Sequence, residues 1–260
     1  MELLEYNIGT AARAFSTTRG GGSGNYGGFN ITDYCGDTSA HVRECRSLLC
    51  STLGIDDSRL LLPRQTHGDR IIAIDASFMQ KDEKEKKRLL YGADAIITNM
   101  RYICIGVSTA DCIPILLHDP HKRVVAAVHA GWRGTVAHIA KKCIATMTET
   151  YECMPNNIVA VIAPGISMEA FEVGNEVYNT FNESGFPMEK IARLYPTAGG
   201  GSKWHIDLWE ANRLQLIASG IPEENISVAG ICTYREHDRF FSARRIGIES
   251  GRIFSGIMLI

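Results

Sequence analysis

No stretch of this sequence approaches the roughly 18 consecutive apolar residues that a membrane-crossing helix requires, so no membrane partner is expected. The opening residues, MELLEYNIGTAARAF, lack the succession of basic region, apolar run and small-residue cleavage site. That argues against a secretion signal and makes the cytoplasm the expected compartment. A long basic stripe is missing too. Lysine and arginine number 27 against 29 acids, for a net charge of −2. Nothing here could neutralise phosphates along a duplex, so nucleic acid is not expected as a partner. Histidine is sparse, with 8 in the chain and none in a His-x-His pair. A four-copper centre needs many imidazoles, commonly in such pairs, which weighs against a multicopper oxidase. There is no internal repeat, and no segment marks a protein partner. The best linker candidate, residues 198–202, is too short to divide the chain, so one domain spanning residues 1–260 is expected.

What is present is an ordinary globular composition, 45% hydrophobic and 22% charged. The eight cysteines read as thiols in a reducing compartment, most of them small buried hydrophobes. Residues 14–18 read as a strand that runs into a glycine-rich loop at 20–28, a linker or a ligand cradle. Asp37 is the expected N-cap of a helix carrying Val42, Cys45, Leu48 and Leu49 on one face and stopping at Gly54. From Ala93 to Ala130 the segments ADAIIT, YICIGVST, IPILLH and RVVAAVHA read as strands whose apolar residues run consecutively, as expected where both faces are covered. Helices are expected over 134–151, 172–181 and 208–219, and strands over 158–163, 226–231 and 254–260. The fold class is α/β: a single layered domain of mixed β-sheets covered by helices.

The hairpin around Asp119, Pro120, His121 and Lys122 is the most informative segment. If those four residues form the turn, His118 faces Arg123 and Cys112 lies directly across from His129 on the same face. A thiol facing an imidazole serves either as a nucleophile pair or as two metal ligands. It is also compatible with a hydrogen-bonded core histidine beside a buried cysteine. In RQTHG, His67 sits in a turn relaxed by Gly68. One cysteine and two histidines suit a zinc ion with a fourth position open, the arrangement of catalytic sites. Divalent copper outcompetes zinc for such donors, so copper capture in vitro is expected.

The segments GADAIIT, STADCIPILLHDP, VVAAVHAGWRGT, IAPGIS, HIDLWEANRLQL and CTYREHDRFFSARR resemble the laccase-domain family. Its members were first called multicopper polyphenol oxidases, then purine nucleoside phosphorylases and peptidoglycan editing factors. The resemblance runs from the glycine loop to about Arg252. It implies metal ligation by His67, Cys112 and His129, the same trio. It also implies a fold shared with a deamidating bacterial toxin domain of cysteine-hydrolase type. The implied reactions are phosphorolysis of adenosine, inosine and methylthioadenosine and deamination of adenosine, with purine nucleoside and phosphate as the small-molecule partners.

Arg46 lies on the apolar side of its own helix, where arginine is costly unless paired or bound. The matching family arginine lies at the nucleoside site, and Ser23 belongs to a glycine segment beside it. Both are therefore expected substrate contacts. Asp111 reads as a structural carboxylate, and Arg133, Arg244 and Arg245 as further anion candidates. Two other readings compete with the zinc enzyme. One is a Cys112–His129 amidase acting on cell-wall precursors, and the other a metal-binding module without catalysis.

Overall fold

The structure is a computed structural model that describes residues 1–22, 24–197 and 199–260. Its layers follow from the two-sided apolar strands. A six-stranded sheet is ordered Ile226–Val228, Val159–Ile162, Ile113–Asp119, Val124–Ala130, Ala95–Thr98, Ile71–Ile74. Along it, Leu116, Val125 and Ala127 point to one core, while Ile115, Leu117, Ala126 and Val128 point to another. The first core lies between this sheet and a five-stranded one ordered Leu3–Tyr6, Ala12–Thr17, Ile253–Leu259, Cys104–Thr109, Leu60–Leu61. The second is closed by helices Ile139–Tyr151 and Leu208–Ala218, through Cys143, Met147, Ala211 and Leu216. Helix Ser39–Leu53 covers the far face of the five-stranded sheet with Cys45 and Leu49 against Phe15 and Phe254. The order is helix, sheet, sheet, helix, and each fully buried Leu or Ile contributes about 1.5–3 kcal/mol to holding it.

Both large sheets are mixed. Ile71–Ile74 runs parallel to Ala95–Thr98, and Ile226–Val228 parallel to Val159–Ile162, while the central pairings are antiparallel. Among the described residues no helix is long and apolar enough to cross a membrane. All eight cysteines are free and seven are buried.

The hairpin register differs from the sequence expectation. Asp119 faces Val124 and Pro114 faces His129, a shift of two residues. The cause is the Asp119 carboxylate, which accepts from the amides of His121 and Lys122 at 2.9 and 3.0 Å and so fastens residues 120–123 into the loop. Arg123 completes that loop at φ 53°. A two-residue shift keeps every side chain on its face, so Cys112 and His129 become diagonal neighbours instead of opposite ones.

Other elements differ in detail. The expected helix over 134–151 is two helices, Trp132–Val136 and Ile139–Tyr151, separated where His138 takes φ 58°. Thr38, not Asp37, caps helix Ser39–Leu53, and Asp37 instead accepts from His41 Nδ1 at 2.7 Å. Residues 172–181 divide into strand Glu172–Val173 and helix Asn175–Glu183. The strand joins Ser202–Ile206 and Ala192–Pro196 in a small third sheet that the sequence reading did not contain.

Candidate metal centre

Three backbone devices bring the trio together. His67 sits in a tight bend at φ 63°, in the left-handed region that a β-carbon makes costly. The bend is held by the Asp94 carboxylate, which accepts the amides of Thr66, His67 and Gly68 at 3.2, 2.9 and 2.8 Å. Cys112 lies in a second bend, just before strand Ile113–Asp119, where Asp111 takes φ 87°. Asp111 is pinned by Thr233 Oγ1 and the Arg244 amide, each donating at 2.7 Å, so this carboxylate shapes the backbone that presents the thiol. His129 is the penultimate residue of strand Val124–Ala130, 3% exposed.

The donor atoms of His67, Cys112 and His129 all lie within 4.8 Å of one another. The two imidazole rings meet edge to face, with centroids 4.9 Å apart. His129 Nδ1 donates to Asp94 Oδ1 at 2.7 Å, which leaves Nε2 as its free donor toward a metal. One carboxylate thus positions two ligands. Burial alone would raise the Asp94 carboxyl, but the His129 imidazole and the Gly68 and Thr66 amides outweigh it and hold it below the usual range. Burial also works against the charged forms of Cys112 and His129. The histidines nonetheless pull the Cys112 thiol down to about 6, while Cys112 and Asp94 push His129 up to about 9.

The residues fit a metal of borderline softness. Bonds of roughly 2.0–2.3 Å from one sulfur and two nitrogens can draw such a triangle onto a single ion. Gly131 leaves the space: a β-carbon there would stand 3.1 Å from Cys112 Sγ, 3.1 Å from His67 Cδ2 and 3.7 Å from His129 Cε1. Among the described residues no fourth His, Cys, Asp or Glu joins the group, so one side stays open. That side faces a cavity of about 440 Å³ walled by Tyr34, Trp132, Phe171 and Ile166 and edged by Arg244 and Arg252.

The other sequence candidates fall as follows. Arg46 is half-buried and lines a neighbouring cavity that shares Tyr34 with the metal pocket. Ser23 lies outside the described residues. Arg133 stacks on Trp132 with its guanidinium carbon 4.2 Å from the ring centroid, and Arg245 lies over Tyr234 at 5.2 Å. Sequence reasoning gave no role to Asp94 or Gly131. A signal for Asp94 existed, because it is a carboxylate at the head of an otherwise apolar strand, ADAIIT.

Known proteins resemble this chain over most of its length. The chain is 44% identical over 247 residues to a purine nucleoside phosphorylase of Bacteroides thetaiotaomicron, covering 94% of this chain and 90% of that protein. It is 45% identical over 246 residues to adenosine deaminase RL5 from an unknown prokaryotic organism, covering 94% and 92%. Its fold matches the crystal structure of YlmD from Geobacillus stearothermophilus with a TM-score of 0.86 at 30% identity, over 96% of this chain and 92% of that one. The sequence pattern of the multi-copper polyphenol oxidoreductase laccase family matches residues 12–260, and the chain belongs to that family.

Proposed function

We propose that the chain is a zinc enzyme of purine nucleoside turnover in the cytoplasm, acting as one domain. Its reactions are phosphorolysis of adenosine, inosine and methylthioadenosine and deamination of adenosine. The observation that carries this is a three-donor site with one open side at an aromatic-walled cavity. Two relatives near 45% identity, one named a purine nucleoside phosphorylase and the other an adenosine deaminase, support the substrate class. His67, Cys112 and His129 would hold the metal, which supplies Lewis acidity and lowers the pKa of water. Asp94 keeps His129 in the tautomer that offers Nε2. Tyr34, Trp132 and Phe171 offer flat apolar walls for a purine. The backbone around Ser23 and the Arg46 guanidinium are the proposed orienting contacts for the rest of the substrate. The donor set favours zinc, and copper capture is an in vitro property. A kinship of the layered fold with the cysteine-hydrolase toxin domains belongs to the same proposal.

A second reading draws on the lowered Cys112 thiol beside His129: a thiolate nucleophile of an amidase acting on cell-wall precursors. Metal retention separates the two, because a thiolate on zinc is a poor free nucleophile. The test is a screen of zinc-loaded protein against the three nucleosides with and without phosphate. Ammonia release from adenosine is expected without phosphate, and base release is expected to rise with it. Cys112→Ala should lose both metal and turnover. Fully metallated protein that is inert toward all three nucleosides would overturn the nucleoside reading in favour of the amidase.

A further inference from the structure

A second cavity, of about 360 Å³, shares Tyr34 with the metal pocket. Its apolar lining includes Val42 and Leu90, both buried. Arg46, Arg64 and Lys87 line it as well, against a single carboxylate, Asp33. The three cations come from separate segments: helix Ser39–Leu53, the loop after strand Leu60–Leu61, and the last turn of helix Glu83–Leu90. The Arg64 guanidinium is held between two rings, 5.5 Å from the Tyr34 centroid and 5.7 Å from that of Tyr91. On helix Glu83–Leu90 the neighbouring cations are neutralised, Lys86 by Glu83 and Arg88 by Glu85. Arg46, Arg64 and Lys87 have no ion-pair partner among the described residues.

These three cations line one concave surface of a chain with net charge −2, although Arg46 and Lys87 also line an adjoining cavity with Asp57 and Glu83. Like charges on one surface repel one another. A multiply charged oxyanion relieves that repulsion. Guanidinium forks match phosphate oxygens two at a time, and an ammonium adds a point charge. We propose that this cavity is a phosphoryl-binding site. It takes inorganic phosphate or the phosphoryl group of a nucleotide whose base enters the metal pocket past Tyr34. The site stands on its own residues. The placing of a base in the metal pocket and the contact of Arg46 with the phosphoryl group rest on the nucleoside reading.

The experiment reads binding, so it does not depend on turnover. Calorimetric titrations of the metal-loaded protein use inorganic phosphate, adenosine and adenosine 5′-monophosphate. Saturable binding of phosphate or of the monophosphate is expected. Arg64→Ala and Lys87→Ala should each weaken it about tenfold or more, as loss of a charged hydrogen bond does. Metal content should be unchanged in both variants, and both should keep the wild-type circular dichroism, since the two side chains are exposed. Gly131→Ala, which fills the metal position, separates phosphate held here from phosphate held on the metal. Phosphate binding that survives Gly131→Ala supports the cavity. A monophosphate that binds more tightly than both phosphate and adenosine identifies a substrate phosphoryl group, whereas one no tighter than phosphate identifies the free ion. The proposal is overturned if neither anion binds saturably. It is equally overturned if binding is lost in Gly131→Ala while Arg64→Ala and Lys87→Ala leave it intact.

Discussion

Asp94 orders two of the three candidate donors, because it holds both the bend of His67 and the Nδ1 of His129. Asp94→Asn keeps the volume and removes the charge, and it should lower metal affinity roughly 10–100-fold in a chelator competition. Unchanged affinity would show that the ligands hold themselves in place. Gly131→Ala tests the same centre from the opposite side. The backbone there, φ −65° and ψ 168°, suits alanine, so the fold should be kept while metal affinity drops by about tenfold or more. His118 offers a pH test away from the metal. Its Nδ1 donates to the Ile8 carbonyl at 2.7 Å, while Nε2 is buried without a partner. Burial holds this imidazole below its ordinary value, against the raising effects of the Ile8 carbonyl and Asp119. Between the depressed folded pKa and the unfolded value near 6.5, the unfolded chain binds the extra proton. The stabilisation is therefore complete above about pH 6.5 and is lost as pH falls below it, by at most about 1.4 kcal/mol per pH unit. Urea denaturation of metal-free protein between pH 8 and 5 should show that slope, and His118→Asn should flatten it. An equal slope in both proteins would remove His118 as its source.

At the scale of elements, Gly165 is where packing controls the site. In Gly165→Ala the β-carbon would meet Ile113 Cδ1 at 2.4 Å, so the end of that side chain must move, and it would press on Asp111 O at 3.1 Å and Cys112 O at 3.3 Å, the backbone of the bend that presents the thiol. The expected cost is about 1–3 kcal/mol in denaturant melts, accompanied by weaker metal binding. Normal metal affinity in a destabilised variant would separate that contact from ligand placement. The same elements show what was legible from residues alone. Consecutive apolar runs such as IPILLH disclosed strands covered on both faces, because burial writes itself into composition. The register lies two residues from the one the sequence implies because a side-chain cap, Asp119 on two amides, decides where the loop begins. The two-residue difference leaves the trio on one face, since period-two alternation preserves it. His138 broke an expected helix through a single left-handed residue that its apolar pattern does not mark. Strands Ala192–Pro196 and Ser202–Ile206 went unread for the opposite reason: three residues of the first and two of the second are exposed, so no apolar pattern identifies them. Asp94 and Gly131 escaped notice because their importance lies in contacts between distant segments.

For the whole molecule, a metal that binds only the folded chain should stabilise it by mass action, about 2.7 kcal/mol at a hundredfold excess over Kd. For a protein of this size that corresponds to a rise of roughly 5–10 °C in Tm, which Gly131→Ala should cut to about half or less. A Tm indifferent to zinc in the wild-type protein would mean that the three donors do not close on it. The five-stranded sheet adds a constraint of another kind. Strand Ile253–Leu259 lies at its centre, hydrogen-bonded to Ala12–Thr17 on one side and Cys104–Thr109 on the other. During synthesis, therefore, the two halves of this sheet leave the ribosome long before the strand that joins them. Each presents an open edge until Ile253–Leu259 emerges. Nascent chains arrested before Ile253 should be held by chaperones and cut readily by protease, and chains extended far enough to expose Ile253–Leu259 should convert to the resistant state.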